Sequence, residues 1–134
     1  MTMHNMIDKL IGVPFVDGGR DPEIGLDCWG TVMQAYKLLN GINVTDFKIP
    51  AFQEELINKA IKENESGNDW YAIEGPERGC VVAFKLHPIF VCHVGVCIDD
   101  KRFIHAREKT GIVIEHLDHP IWRKRIHGYY KWAR

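Results

Sequence analysis

The sequence lacks the features that mark several large protein classes. Apolar runs are short: a segment such as Pro88-Ile89-Phe90-Val91-Cys92 ends far below the ~20 residues of a membrane-spanning helix. There is no surplus of basic charge. Lys and Arg number 17 against 18 Asp and Glu, a formal net charge of −1. That balance argues against a nucleic-acid binder working through a broad basic surface. The opening MTMHNMIDKL lacks a basic stretch followed by an apolar one, so it does not read as a secretory signal. Synthesis and folding in a cytosol are expected. Repeats and low-complexity tracts are also missing. Cysteine is sparse, with Cys28, Cys80, Cys92 and Cys97. With no secretory signal and enough chain for a core, free thiols are favoured over two disulfides.

What is present is ordinary: 134 residues, 46% hydrophobic and 26% charged. These values fit one globular domain over residues 1–134. The first half reads as helix and the second as strand, which points to an α+β fold. A short helix is expected over 5–12. The segment GVPFVDGGRDPEIG, dense in Gly, Pro and Asp, reads as loop. A helix then opens after Asp27, a plausible N-cap, with Cys28, Val32, Ala35, Tyr36 and Leu39 on one face and Gly41 at its end. A further helix is expected over 50–64. From Cys80 onward CVVAFKL, CHVGVCI, RFIHA, GIVIEHL and GYYKW read as strands of a mostly antiparallel sheet.

Cys28 follows a Gly/Asp-rich loop and opens a helix. Unpaired N–H groups and the helix dipole favour an anion there, so the thiol tends toward thiolate. Asp27 opposes this unless its carboxylate is occupied as the cap. Two readings stand for Cys28: a nucleophile, or a packed thiol on an apolar helix face. His93 and His105 bear on the choice. A three-residue loop, Asp99-Asp100-Lys101, pairs Gly95 with His105 and sets His93 and His105 diagonally on one face. Their backbones are then roughly 7–8 Å apart. A two-residue loop would put them on opposite faces. In the favoured register Gly95 leaves space beside both rings. Cys97 and Phe103 share that face. Val94, Val96, Ile98, Ile104 and Ala106 take the other, so the hairpin should be covered on both sides. The set then fits a nucleophile (Cys28), a base (His93) and an orienting group (His105), with the Cys28 N–H helping to bind an oxyanion.

These residues, in the segments GVPFVDGG, GLDCWGTVMQAYK, RGCVVAF and HVGVCIDDKRFIHA, resemble the NlpC-type family of cell-wall cysteine peptidases in their phage-tail form. The family's Asp-Cys-x-Gly matches Asp27-Cys28-Trp29-Gly30, its His-Val-Gly matches His93-Val94-Gly95, and its third His matches His105. The likeness spans about residues 10–110. It implies a papain-like core, helices on a five- to six-stranded sheet, and Cys28, His93 and His105 as catalytic residues. It implies hydrolysis of amide bonds in peptidoglycan stem peptides, with Asp27, Trp29 and Phe15 at the substrate. Three positions depart from the family pattern. Phe15 stands where many members carry Tyr, Trp29 where Ser is common, and Cys80 where an acid is common.

Other signals are set aside. Cys28, His93 and His105 could hold zinc, but a helix-start thiol beside a strand histidine is the thiol-hydrolase arrangement, and no metal or cofactor is expected. Cys92 and Cys97 face opposite ways in a regular strand. Arg123-Lys124-Arg125 reads as a solvated edge, and Trp70-Tyr71 as core. The expected partner is a peptidoglycan stem peptide, with other phage tail proteins if a virion carries the enzyme; neither nucleic acid nor a membrane is expected. Two alternatives stay open: a structural tail-assembly protein that kept the fold with weak catalysis, and a thiol amidase or acyltransferase on another substrate.

Overall fold

A computed structural model describes residues 7–46, 70–87 and 90–132. The helix expected over 50–64 lies outside these. Of the helix expected over 5–12, Ile7 and Asp8 are helical and residues 9–12 form turns. The Gly/Pro/Asp-rich segment expected as loop carries a small hairpin, β1 (Arg20–Asp21) against β2 (Gly25–Leu26).

Helix α1 (Cys28–Asn40) starts and stops where the sequence indicates. Asp27 is extended and its side chain accepts the Gly30 N–H at 2.8 Å, pairing a first-turn donor. Gly41 closes the helix at φ 70 and donates its N–H to the Lys37 carbonyl. Cys28, Val32, Ala35 and Tyr36 are buried as the spacing predicts, while Leu39 is half-buried.

Six strands form one antiparallel sheet in the order β3-β8-β4-β5-β6-β7. They are β3 (Trp70–Ile73), β4 (Val81–His87), β5 (Phe90–Cys97), β6 (Arg102–Arg107), β7 (Gly111–His116) and β8 (Ile126–Trp132). The five strands read from sequence are β4 to β8. The short β3 is the addition. Its Trp70 is buried against Trp132, Tyr36 and Trp29 with ring centroids 4.9, 5.7 and 6.0 Å away, in keeping with the core role expected of Trp70-Tyr71, whereas Tyr71 is exposed, its alternate strand position facing out. A four-residue helix, α2 (Pro120–Arg123), precedes β8 and is capped by the His119 side chain.

The β5–β6 register is the one the three-residue loop requires. Val96 pairs with Ile104 and Cys97 with Phe103, and the Ile98 N–H reaches the Arg102 carbonyl at 2.9 Å. Asp99 fixes the loop by accepting from the Lys101 N–H, the Arg102 N–H and the Arg102 guanidinium. Side-chain alternation then sorts the hairpin into two cores. Val94, Val96, Ile98, Ile104 and Ala106 pack with α1. Cys97 and Phe103 pack on the other face with Cys80, Phe84 and Trp122. Cys80 and Cys97 lie side chain to side chain as buried free thiols. Among the described residues, no helix is long and apolar enough to cross a membrane.

Candidate active site

The start of α1 is clamped from the loop before it. The Asp27 carboxylate is 1% exposed. One oxygen accepts from Gly30 and from the Arg20 guanidinium at 2.7 Å, the other from the Gly18 N–H at 3.1 Å. Arg20 also pairs with Asp46. Gly30 permits the close fit: a Cβ there would meet the Gly19 carbonyl oxygen at 2.1 Å. The clamp sets the Cys28 side chain into a cavity of about 250 Å³, which Phe15, His93, His105, Arg107 and Trp122 also line.

The two histidines meet as the register demands. His93 Nε2 lies 2.8 Å from His105 Nδ1. Gly95 makes room, since a Cβ there would stand 2.8 Å from the Ile104 carbonyl oxygen and 3.1 Å from the His105 Cβ. His105 Nε2 is hydrogen-bonded to the Glu115 carboxylate, whose other oxygen faces Arg107 at 3.5 Å. Aromatic rings wall the imidazoles. Trp122 stacks on His93 and stands edge-on to His105, 4.8 Å between centroids. Phe84 and Phe103 close the same side.

Burial sets the protonation states. Cys28 is 6% exposed and His93 8%. Burial first, then the Asp27 charge, pushes the Cys28 thiol up to about 12, against hydrogen bonds from the Trp29 and Val94 backbones. Burial, then the neighbouring His105, pulls His93 down to about 3. Burial, then Arg107, pulls His105 down to about 3. Desolvation therefore opposes the thiolate tendency expected from the helix start, and burial favours the neutral imidazole of His93 in the same cavity.

Of the residues matched to the substrate, Phe15 lines the cavity. Asp27 is closed off as cap and ion pair, and Trp29 donates its indole N–H to the Thr45 carbonyl on the Trp70 side of α1. Sequence reasoning missed Glu115 and Trp122. Glu115 was legible in principle. GIVIEHL pairs with RFIHA through residues 108–110, with Arg107 opposite Gly111 and Phe103 opposite Glu115. This sets Glu115 diagonal to His105 on its face. Trp122 carried no such signal, because a separate short helix delivers it. Among the described residues, no group of three or more His, Cys, Asp or Glu is arranged to hold a metal ion.

The NlpC/P60 family model matches residues 12–131. The chain belongs to the NlpC/P60 family. It is similar to "Probable endopeptidase YafL" of Escherichia coli K12, 29% identical over 125 residues, 91% of this chain and 45% of the relative. "Gamma-DL-glutamyl hydrolase" of Bacillus subtilis 168 is 25% identical over 122 residues, 90% of this chain and 26% of the relative. "Murein DD-endopeptidase MepS/Murein LD-carboxypeptidase" of E. coli K12 is 25% identical over 114 residues, 85% of this chain and 53% of the relative. The chain thus spans about a quarter to a half of the length of these curated relatives. The fold is shared with an NlpC/P60 protein from Bacillus cereus ATCC 10987 (TM-score 0.69, 21% identity, 98% of this chain and 39% of that one). It is shared too with the NlpC/P60 domain of the peptidoglycan hydrolase SagA (TM-score 0.59, 18% identity, 96% and 93%).

Proposed function

We propose that the chain is a cysteine peptidase or amidase that hydrolyses amide bonds in peptidoglycan stem peptides, with Cys28 as nucleophile, His93 as base and His105 as its orienting partner. The observation that carries this reading is the 2.8 Å His93–His105 hydrogen bond in the cavity that also receives the Cys28 side chain. Because His93 Nε2 is engaged, Nδ1 remains for the thiol proton. The Cys28 sulfur attacks the carbonyl carbon as its proton passes to His93 Nδ1. The Cys28 N–H, in a first helical turn with no acceptor in its own helix, donates to the oxyanion. Collapse expels the amine, which takes the proton from His93. Water, activated by His93, then hydrolyses the thioester and frees the acid. Starting from two neutral groups avoids holding a buried ion pair at rest. The half-exposed Arg107 guanidinium at the cavity suits the free carboxylates of stem peptides, and relatives named as murein endopeptidase and glutamyl hydrolase support the same substrate class.

The test is digestion of purified muropeptides followed by mass spectrometry. Wild-type protein should release a stem-peptide fragment and Cys28→Ala should release none. Equal digestion by both would overturn the nucleophile assignment. Phe15 on the cavity wall, with no hydroxyl, also favours a second reading, a structural protein that kept the fold with weak catalysis. A correctly folded wild type that cuts no muropeptide would favour that one.

A further inference from the structure

We propose that Glu115 is a positioning residue that sets the tautomers of both imidazoles and so makes His93 Nδ1 the proton acceptor. The inference rests on the reading of Cys28, His93 and His105 as the catalytic set. Its observations are the hydrogen bonds of one continuous chain: Glu115 carboxylate to His105 Nε2, and His105 Nδ1 to His93 Nε2. A carboxylate only accepts, and the second oxygen of Glu115 accepts from the Arg107 guanidinium at 3.5 Å. A neutral His105 must therefore carry its proton on Nε2. Its Nδ1 is then an acceptor, so His93 must also carry its proton on Nε2. His93 Nδ1 is left as a bare lone pair, the form a general base requires.

Without the carboxylate this order is lost. His105 becomes free to carry its proton on Nδ1 and donate it to His93 Nε2. His93 then carries its own proton on Nδ1, where it blocks transfer from the thiol. Both arrangements keep the 2.8 Å contact, so the geometry of the pair alone does not choose between them. The acceptor on β7 does. Glu115 touches neither the thiol nor the bound peptide in this scheme and acts through His105 alone.

Glu115→Gln tests this. It is isosteric, yet its amide presents either an oxygen or an NH2 group to His105 Nε2. Two-bond 1H–15N spectra of 15N-labelled protein near neutral pH read each ring's tautomer without any substrate. Wild type should show both rings protonated at Nε2, and E115Q a mixture. In muropeptide turnover E115Q should lose about tenfold or more in kcat with KM unchanged. Wild type with His105 protonated at Nδ1, or E115Q with wild-type tautomers, overturns the inference. A wild type that shows the tautomers but hydrolyses no muropeptide would defeat the proposed activity and leave this inference standing.

Discussion

Replacing Gly95 with Ala should damage the site through the sheet. The new Cβ would stand 2.8 Å from the Ile104 carbonyl oxygen, 3.1 Å from the His105 Cβ and 3.1 Å from Phe103 Cδ2. The first contact is with backbone, and β5 is held on its other edge by β4 through Val82 opposite Gly95 and Phe84 opposite His93. The strain must then open β5 from β6, which parts His93 from His105. Overpacking of this kind costs about 1–3 kcal/mol, or about 4–12 °C in melting temperature for a chain of this size. Gly75 is the control. It has nothing within 4 Å of its Cβ position, so Gly75→Ala should leave the melt unchanged. Thermal unfolding of both variants, with muropeptide turnover alongside, measures the two effects. A Gly95→Ala protein that melts with the wild type would refute the close strand approach on which the histidine pairing rests.

Two further outcomes follow from the clamp and from burial. Asp27→Ala removes a helix cap and takes a carboxylate from the Arg20 guanidinium. It should cost about 2 kcal/mol or more in urea unfolding, and a loss below about 0.5 kcal/mol would contradict the clamp. His93 and His105 stay neutral in the fold down to about pH 3, while the unfolded chain takes up protons near the ordinary 6.5. Their contribution to stability is therefore complete above 6.5 and is lost as pH falls below it. The slope approaches about 1.4 kcal/mol per pH unit for each group. Urea midpoints near pH 7.5 and near pH 5 should differ accordingly, with a smaller difference in His93→Asn; a pH-independent midpoint would contradict their burial.

The elements that were legible in the sequence are those whose cause is local. Asp27, the Cys28-Val32-Ala35-Tyr36 spacing and Gly41 each state their part of α1 in their own residue types. The β5–β6 register followed from the loop length, and with it came the meeting of His93 and His105. What was not legible depends on distant chain. Trp122 reaches the imidazoles from α2. β3 is a four-residue strand whose pairing partner, β8, lies far along the sequence, with Trp70 opposite Trp132. The environment of Cys28 divides in the same way. The helix start speaks locally for a thiolate, but the walls that desolvate the sulfur come from elsewhere in the fold. Glu115 falls between the two cases, because the hairpin arithmetic that joined His93 to His105 also reaches it from one strand further on.

In the proposed reaction Cys28 forms a covalent bond with the acyl group of a stem peptide. Intact-protein mass spectrometry after rapid acid quenching of wild-type protein with a muropeptide reads this directly. A mass increase equal to the acyl fragment is expected, located on the peptide containing Cys28 and absent from Cys28→Ala. Peptide release with no adduct, at the same rate in wild type and Cys28→Ala, would contradict it.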